Sequence, residues 1–191
     1  IMIANSETLY LTPDEYLSCE EKSDIKHEYR QGEVYAMAGA SNNHVLIAVN
    51  VITLLRNHLR GKGCRVYASD TKVKIESVNT YYYPDIAISC DERDRNLTQY
   101  IYHPCLIIEV LSDSTEAFDR GDKFADYRRL ESLKEYVLIS QNTKRVDTFS
   151  KNEQEQWLLQ SYQESEQLTL NTLEFSCLVS DIYEDITEPN E

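Results

Sequence analysis

The sequence predicts a mixed α/β (α+β) fold, a central mixed sheet flanked by helices. Three observations predict it. An amphipathic helical pattern fills residues 41–60, four strand-like segments follow it between 64 and 112, and a second helical stretch near 119–130 precedes three more strand patterns. Helices interleaved with runs of consecutive strands form layered helix-on-sheet domains. One sheet with helices packed on it is the expected architecture.

The elements follow in chain order. Residues 12–22, TPDEYLSCEEK, open with Thr12 and Pro13, a capping residue and a proline suited to the first turn, so a short helix is expected there. Residues 27–38, HEYRQGEVYAMA, read as two strands around Gln31-Gly32, with glycine available for a positive φ. Ser41 caps the long helix, Val45, Ala48, Val49, Ile52, Leu55 and Leu59 recur at spacings of three and four, and Gly61 and Gly63 close it. CRVYASD, TKVKIES, YYYPDIAIS and CLIIEVLS read as four strands, with a polar loop at 91–104. A helix over about 119–130, with Asp119 as its cap, is followed by strands EYVLIS, RVDTFS and WLLQSY. A terminal helical turn and the acidic end DIYEDITEPNE complete the chain.

Composition bounds the function. The 191 residues suit a single domain, and 41% hydrophobic with 27% charged residues is ordinary for a globular chain. Against 33 Asp and Glu stand 19 Lys and Arg, a net charge of −14. That balance argues against a generic polyanion-binding coat while leaving room for a local basic groove. Cys19, Cys64, Cys90, Cys105 and Cys177 are odd in number and lack metal-finger spacing, so they read as free thiols in a reducing cytoplasm. The N-terminal residues lack a basic region followed by a long apolar run, and no window suits a membrane span. A cytoplasmic protein is expected.

Two strand-like segments each carry a lone acid: Asp85 in YYYPDIAIS and Glu109 in CLIIEVLS. An unpaired carboxylate in an apolar interior costs several kcal/mol, and a shared cation is the simplest offset. Strand parity puts Glu109 on a face with Ile107 and Leu111, and Asp85 on a face with Ala87 and Ser89. Neighbouring strands can therefore aim both acids at one point. Pro84 lacks a donor and suits a strand break beside the acid. Oxygen donors of this kind suit Mg²⁺ or Mn²⁺. Lys123, one turn into the second helix, can reach back over the end of the Glu109 strand, where it would orient water or stabilise charge on phosphorus. Pairing of each acid with a nearby Arg or Lys is the alternative.

The order PD, then an acid among apolar residues, then a lysine resembles the PD-(D/E)XK nuclease superfamily. KHEYRQGEVYAMAGAS, SDTKVKI, YYYPDIAI, HPCLIIEVLS and DKFADYRRLESLKEYVLIS are similar to the Uma-type restriction endonuclease family over about residues 10–185. The resemblance implies a restriction endonuclease-like fold as a single domain over 1–191. It implies a Mg²⁺-dependent endonuclease hydrolysing DNA, with Asp85 and Glu109 as metal ligands. It also implies a third acid, Glu28 or else Glu33, and a homodimer. Leu111 occupies the position of the superfamily's usual lysine, so the resemblance points to Lys123 as catalytic, with Lys72 and Lys74 as alternatives. Asp113 replaces the proline of the family's usual EVLSPST string. His44 and Asp70 are expected to support the ligands from behind. Tyr81, Tyr82 and Tyr83 read as core, and Arg128 and Arg129 as helix-surface charge. A catalytically inactive interaction module is the competing function. A two-carboxylate sugar hydrolase would need acids facing each other across a cleft and no lysine.

Overall fold

Thr12 and Pro13 start the first helix, α1 (Pro13–Glu20), through a reciprocal cap: Glu15 N donates to Thr12 Oγ1 at 3.3 Å and Thr12 N donates to Glu15 Oε2 at 2.8 Å. The computed structural model describes residues 10–187, so the extreme N-terminus and the last residues of the acidic end lie outside the described residues. Strands β1 (His27–Arg30) and β2 (Glu33–Ala36) form the expected hairpin, with Gln31 at φ 52° and Gly32 at φ 103°. Two positive φ values in a row match the right-handed strand twist.

Helix α2 (Asn42–His58) begins on Ser41, whose Oγ accepts from His44 N at 3.1 Å. Its buried stripe is Ile47, Val51 and Leu55, spaced by four. Ile47 and Leu55 are fully buried, each stabilising by about 1.5–3 kcal/mol. Val45 and Val49, expected on the core face, are half exposed, because the inward stripe is rotated from the one the apolar spacing suggests.

The remaining elements are β3 (Arg65–Ala68), β4 (Lys72–Ile75), β5 (Thr80–Tyr82), β6 (Ile86–Ser89), β7 (Tyr100–Ile101), β8 (Leu106–Leu111), α3 (Glu116–Arg120), α4 (Asp122–Tyr127), β9 (Glu135–Ser140), β10 (Arg145–Lys151), β11 (Trp157–Gln163), β12 (Gln167–Leu170), β13 (Phe175–Leu178) and α5 (Val179–Ile182). The strands divide over three sheets instead of the expected one. The orders are β2-β1-β5-β4-β7, β11-β10-β9-β8-β6-β3 and β12-β13. The β8–β9 and β4–β7 pairs are parallel and the others antiparallel, so the two larger sheets are mixed.

The central strands of the six-stranded sheet, β6, β8 and β9, are buried on both faces. Ile86, Ile88, Leu106, Ile108 and Val110 pack with Ile47, Val51 and Leu55 of α2. Ala87, Ile107 and Leu111 face the other way, against Phe124 and Tyr127 of α4 and Val73, Ile75 and Tyr82 of the five-stranded sheet. A third cluster joins Tyr16, Tyr29 and Tyr81 under α1.

Two local departures shape the site. The segment 81–89 is broken: β5 belongs to the five-stranded sheet and β6 to the six-stranded one, with Pro84 and Asp85 at the crossover. Proline cannot continue the ladder, so the chain changes sheets beside the acid. The helix expected at 119–130 is two short helices that meet at Gly121, where φ is −107° and ψ −101°. A Cβ there would stand 3.0 Å from the Ala117 carbonyl oxygen, so the break suits glycine. Asp119 is consequently not a cap but a buried residue inside α3.

The cysteine reading also needs correction. Cys64 and Cys90 form a disulfide, because antiparallel pairing of Arg65 with Ser89 brings the flanking residues of β3 and β6 together. Cys19, Cys105 and Cys177 are free. Among the described residues no helix is long and apolar enough to cross a membrane.

Candidate active site at the sheet crossover

The crossover places Asp85 beside the C-terminal half of β8, where Glu109 is held by the Asp85 amide and Asp85 by the amide of the residue after Glu109. Val110 N donates to Asp85 Oδ2 at 2.7 Å, and Asp85 N donates to Glu109 Oε2 at 3.3 Å. His44, in the first turn of α2, meets Asp85 Oδ1 through Nε2 at 2.9 Å. The Ser41 cap fixes that first turn, so the helix start also aims the imidazole.

The break at Gly121 turns α4 so that Lys123 points under the end of β8. Its Nζ lies 3.0 Å from Glu109 Oε1, 3.1 Å from Glu28 Oε1 and 3.5 Å from Asp119 Oδ1. Glu28 comes from β1 and also accepts from Tyr83 N at 3.2 Å. Tyr127 donates to Glu109 Oε1 at 3.2 Å, and Tyr136 donates to the Asp119 carbonyl at 2.9 Å. Glu109, Asp119 and Lys123 are almost wholly buried, whereas the Asp85, His44 and Glu28 side chains keep 17%, 16% and 14% exposure. The cluster therefore has a dry floor and an edge open to solvent.

Three carboxylates thus surround a single ammonium, and a fourth, Asp85, stands beside Glu109 without touching that ammonium. Burial pushes the Glu109 carboxyl well above the usual range, Lys123 opposes that, and Asp119, Asp85 and Glu28 add to it. Burial alone would lower the Lys123 ammonium, but Glu109, Glu28 and Asp119 outweigh it and hold it well above its ordinary value. Burial likewise raises Asp119, against Lys123 and the Thr115 hydroxyl. Clustered, mutually perturbed groups at an opening are a mark of functional sites.

The sequence-derived candidates sort cleanly. Asp85, Glu109, Lys123, Glu28 and His44 converge. Asp70 does not: β3 ends at Ala68, so Asp70 sits in the following turn, 82% exposed and paired with Lys26. Glu33 is bound by Tyr10 and Tyr35 at the far end of the hairpin. Lys72 donates to Tyr83 OH, and Lys74 to Tyr102 OH, both away from the acids. Leu111 is buried in the core. Asp113 accepts from Asn142 Nδ2 at 2.6 Å, closing the turn where proline was expected. Tyr81, Tyr82 and Tyr83 are buried, as expected for core residues.

Asp119 and Tyr127 were missed as site residues. Their signal was present: Asp119, Lys123 and Tyr127 are spaced by four, which puts them on one helical face.

A crystal structure described as “a putative nuclease belonging to DUF820” from Anabaena variabilis superposes with a TM-score of 0.76 and 14% identity, covering 91% of this chain and 97% of that one. Its fold is this fold, which is restriction endonuclease-like. Among sequence relatives, “Uncharacterized protein slr1290” of Synechocystis sp. is 44% identical over 185 residues, 95% of this chain and 97% of its own. A second from the same organism, “Uncharacterized protein sll1609”, is 37% identical over 160 residues, 83% and 90% of the two chains. Residues 13–180 match the Uma2 family, described as “Putative restriction endonuclease”, and the chain belongs to that family.

Proposed function

We propose that the chain is a divalent-metal-dependent endonuclease that hydrolyses DNA phosphodiester bonds. The observation that supports this reading is the cluster at the crossover between sheets, where Glu28, Glu109 and Asp119 meet Lys123 and Asp85 is hydrogen-bonded beside Glu109.

Asp85 and Glu109 would hold Mg²⁺ or Mn²⁺. The donor chemistry fits: hard carboxylate oxygens, an excess of negative charge, and free acceptor capacity. Glu109 Oε2 and both Asp85 oxygens each accept one hydrogen bond and keep a second lone pair. Among the described residues no three His, Cys, Asp or Glu side chains form a ready-made metal site. Two carboxylates suffice for Mg²⁺, which commonly completes its shell with water and substrate phosphate. When bound, such an ion polarises a phosphoryl oxygen and lowers the pKa of a coordinated water.

The chain's own groups do the rest. Lys123 places a fixed positive charge where the phosphorus centre gains negative charge, or orients the attacking water. Asp119 and Glu28 hold that ammonium in place. His44 and Tyr127 fix the rotamers of Asp85 and Glu109, as supporting groups around metal ligands do. The enzyme would act as one domain over residues 1–191 and as a symmetric homodimer, which sedimentation velocity would test.

The experiment is a cleavage assay on plasmid and linear DNA with Mg²⁺ or Mn²⁺, parent against Asp85→Ala. The variant is expected to lose cleavage by on the order of 10³-fold while keeping its melting temperature. Parent-level cleavage by the variant would sink the assignment. A non-catalytic binding module is favoured by one observation: an ammonium already sits among the acids. Calorimetric titration separates the two, since a module without metal affinity gives no heat with either ion.

A further inference from the structure

The disulfide between Cys64 and Cys90 has a third cysteine beside it. Cys105 Sγ lies 3.8 Å from Cys90 Sγ, and its thiol donates to the Ile88 carbonyl at 3.4 Å. Cys90 follows β6, Cys64 precedes β3 and Cys105 precedes β8, so the sulfurs gather at the end of the six-stranded sheet away from Asp85 and Glu109. Cys90 and Cys105 also line an open groove of about 870 Å³. In a chain of net charge −14, that wall carries Lys74, Arg93, Arg129 and Lys134 against Glu76, Asp91 and Glu131. An anionic thiol is therefore not repelled there. Where thiols are kept reduced, disulfides are uncommon, and those that occur are usually transient or redox-sensing.

We propose that Cys64, Cys90 and Cys105 form a thiol–disulfide exchange site, open through the groove to a small anionic thiol of the glutathione class. Within the chain, the Cys105 thiolate attacks Cys90 Sγ. A Cys90–Cys105 bond forms, the Cys64–Cys90 bond breaks, and Cys64 leaves as a thiolate that takes up the proton Cys105 gave to solvent. No oxidant is needed, because the step exchanges one disulfide for another. With an external thiol, its sulfur attacks Cys90, expels Cys64 and leaves a mixed disulfide. Cys105 then resolves it by attacking Cys90 and releasing the thiol. Burial pushes the Cys105 thiol up to about 11, which keeps its thiolate scarce and the internal exchange slow.

The two disulfides do different mechanical work. Cys64–Cys90 ties β6 to the edge strand β3, whereas Cys90–Cys105 ties β6 to β8, the strand that carries Glu109. Exchange moves the covalent link onto the pair of strands that lead to the two acids. The inference stands independently of the nuclease reading.

The test maps disulfides by mass spectrometry after acid quenching and alkylation. In the parent chain, incubation with a reduced and oxidised glutathione mixture is expected to produce Cys90–Cys105 linked peptides alongside Cys64–Cys90. Full alkylation of Cys105 at every time point would overturn the proposal. In Cys64→Ser, checked for folding by circular dichroism, the glutathione adduct on Cys90 should resolve at least about tenfold faster than in Cys64→Ser/Cys105→Ser. Equal rates in the two variants would also overturn it.

Discussion

Two buried carboxylates, Asp147 and Glu109, occupy opposite electrostatic settings. Asp147, on β10, is surrounded by donors. Arg145 gives it two hydrogen bonds at 3.0 and 2.6 Å, Arg120 one at 2.8 Å and Ser161 one at 2.6 Å. Burial alone would raise its pKa, but those donors outweigh it and hold it at about 2, below the ordinary 3.8. Glu109 has one ammonium shared with two further acids, and its pKa moves up. One acid is over-neutralised and the other under-neutralised. The first arrangement secures a strand. The second leaves buried acids short of countercharge, an arrangement that clusters at functional sites.

Removing Lys123 should break the comparison most visibly. Lys123→Met leaves the buried acids without their cation and is expected to destabilise by about 3–5 kcal/mol in urea unfolding. An unchanged midpoint would mean that the cluster is not under electrostatic load. Asp147→Ala should cost less, about 1–3 kcal/mol, because both arginines are partly exposed and can rehydrate. The pH dependence sharpens the contrast. The folded pKa of Asp147 is depressed, so its contribution is complete above about pH 4 and disappears as pH falls through about 2, a loss of about 2 kcal/mol. Asp147→Asn should flatten that acid limb, and an unaltered limb would remove Asp147 from the account. His44→Ala should leave stability nearly intact and reduce cleavage about 10- to 100-fold, as the loss of a group orienting a ligand does. A parallel loss of melting temperature would make its role structural.

Much of the site was legible because its signals are local. An acid in an apolar run, a proline before it and a lysine one turn into the helix that follows can be read without knowing the fold. The rest was hidden for identifiable reasons. Pairings such as β4 with β7 and β3 with β6 join segments far apart in sequence, so three sheets could not be told from one. Gly121 sits inside a helical pattern, and only the Ala117 carbonyl shows why the helix stops there. Asp70 resembles a strand-end acid until β3 is seen to end two residues earlier. Cys64 and Cys90 gave no sequence sign of pairing, because their partnership depends on the β3–β6 register.

An ammonium tethered to the polypeptide cannot be diluted or dialysed away. Domains whose ligand sets are balanced only by a bound ion unfold when that ion is stripped. Here Lys123 is resident from the moment α4 docks, so folding precedes and does not await any diffusible cation. Treatment with EDTA should therefore shift the melting temperature by no more than the experimental scatter while abolishing cleavage. On the proposed metal-dependent reading, ion loading would be a late event on a finished scaffold, and a large drop in melting temperature would show that the scaffold is not finished without it.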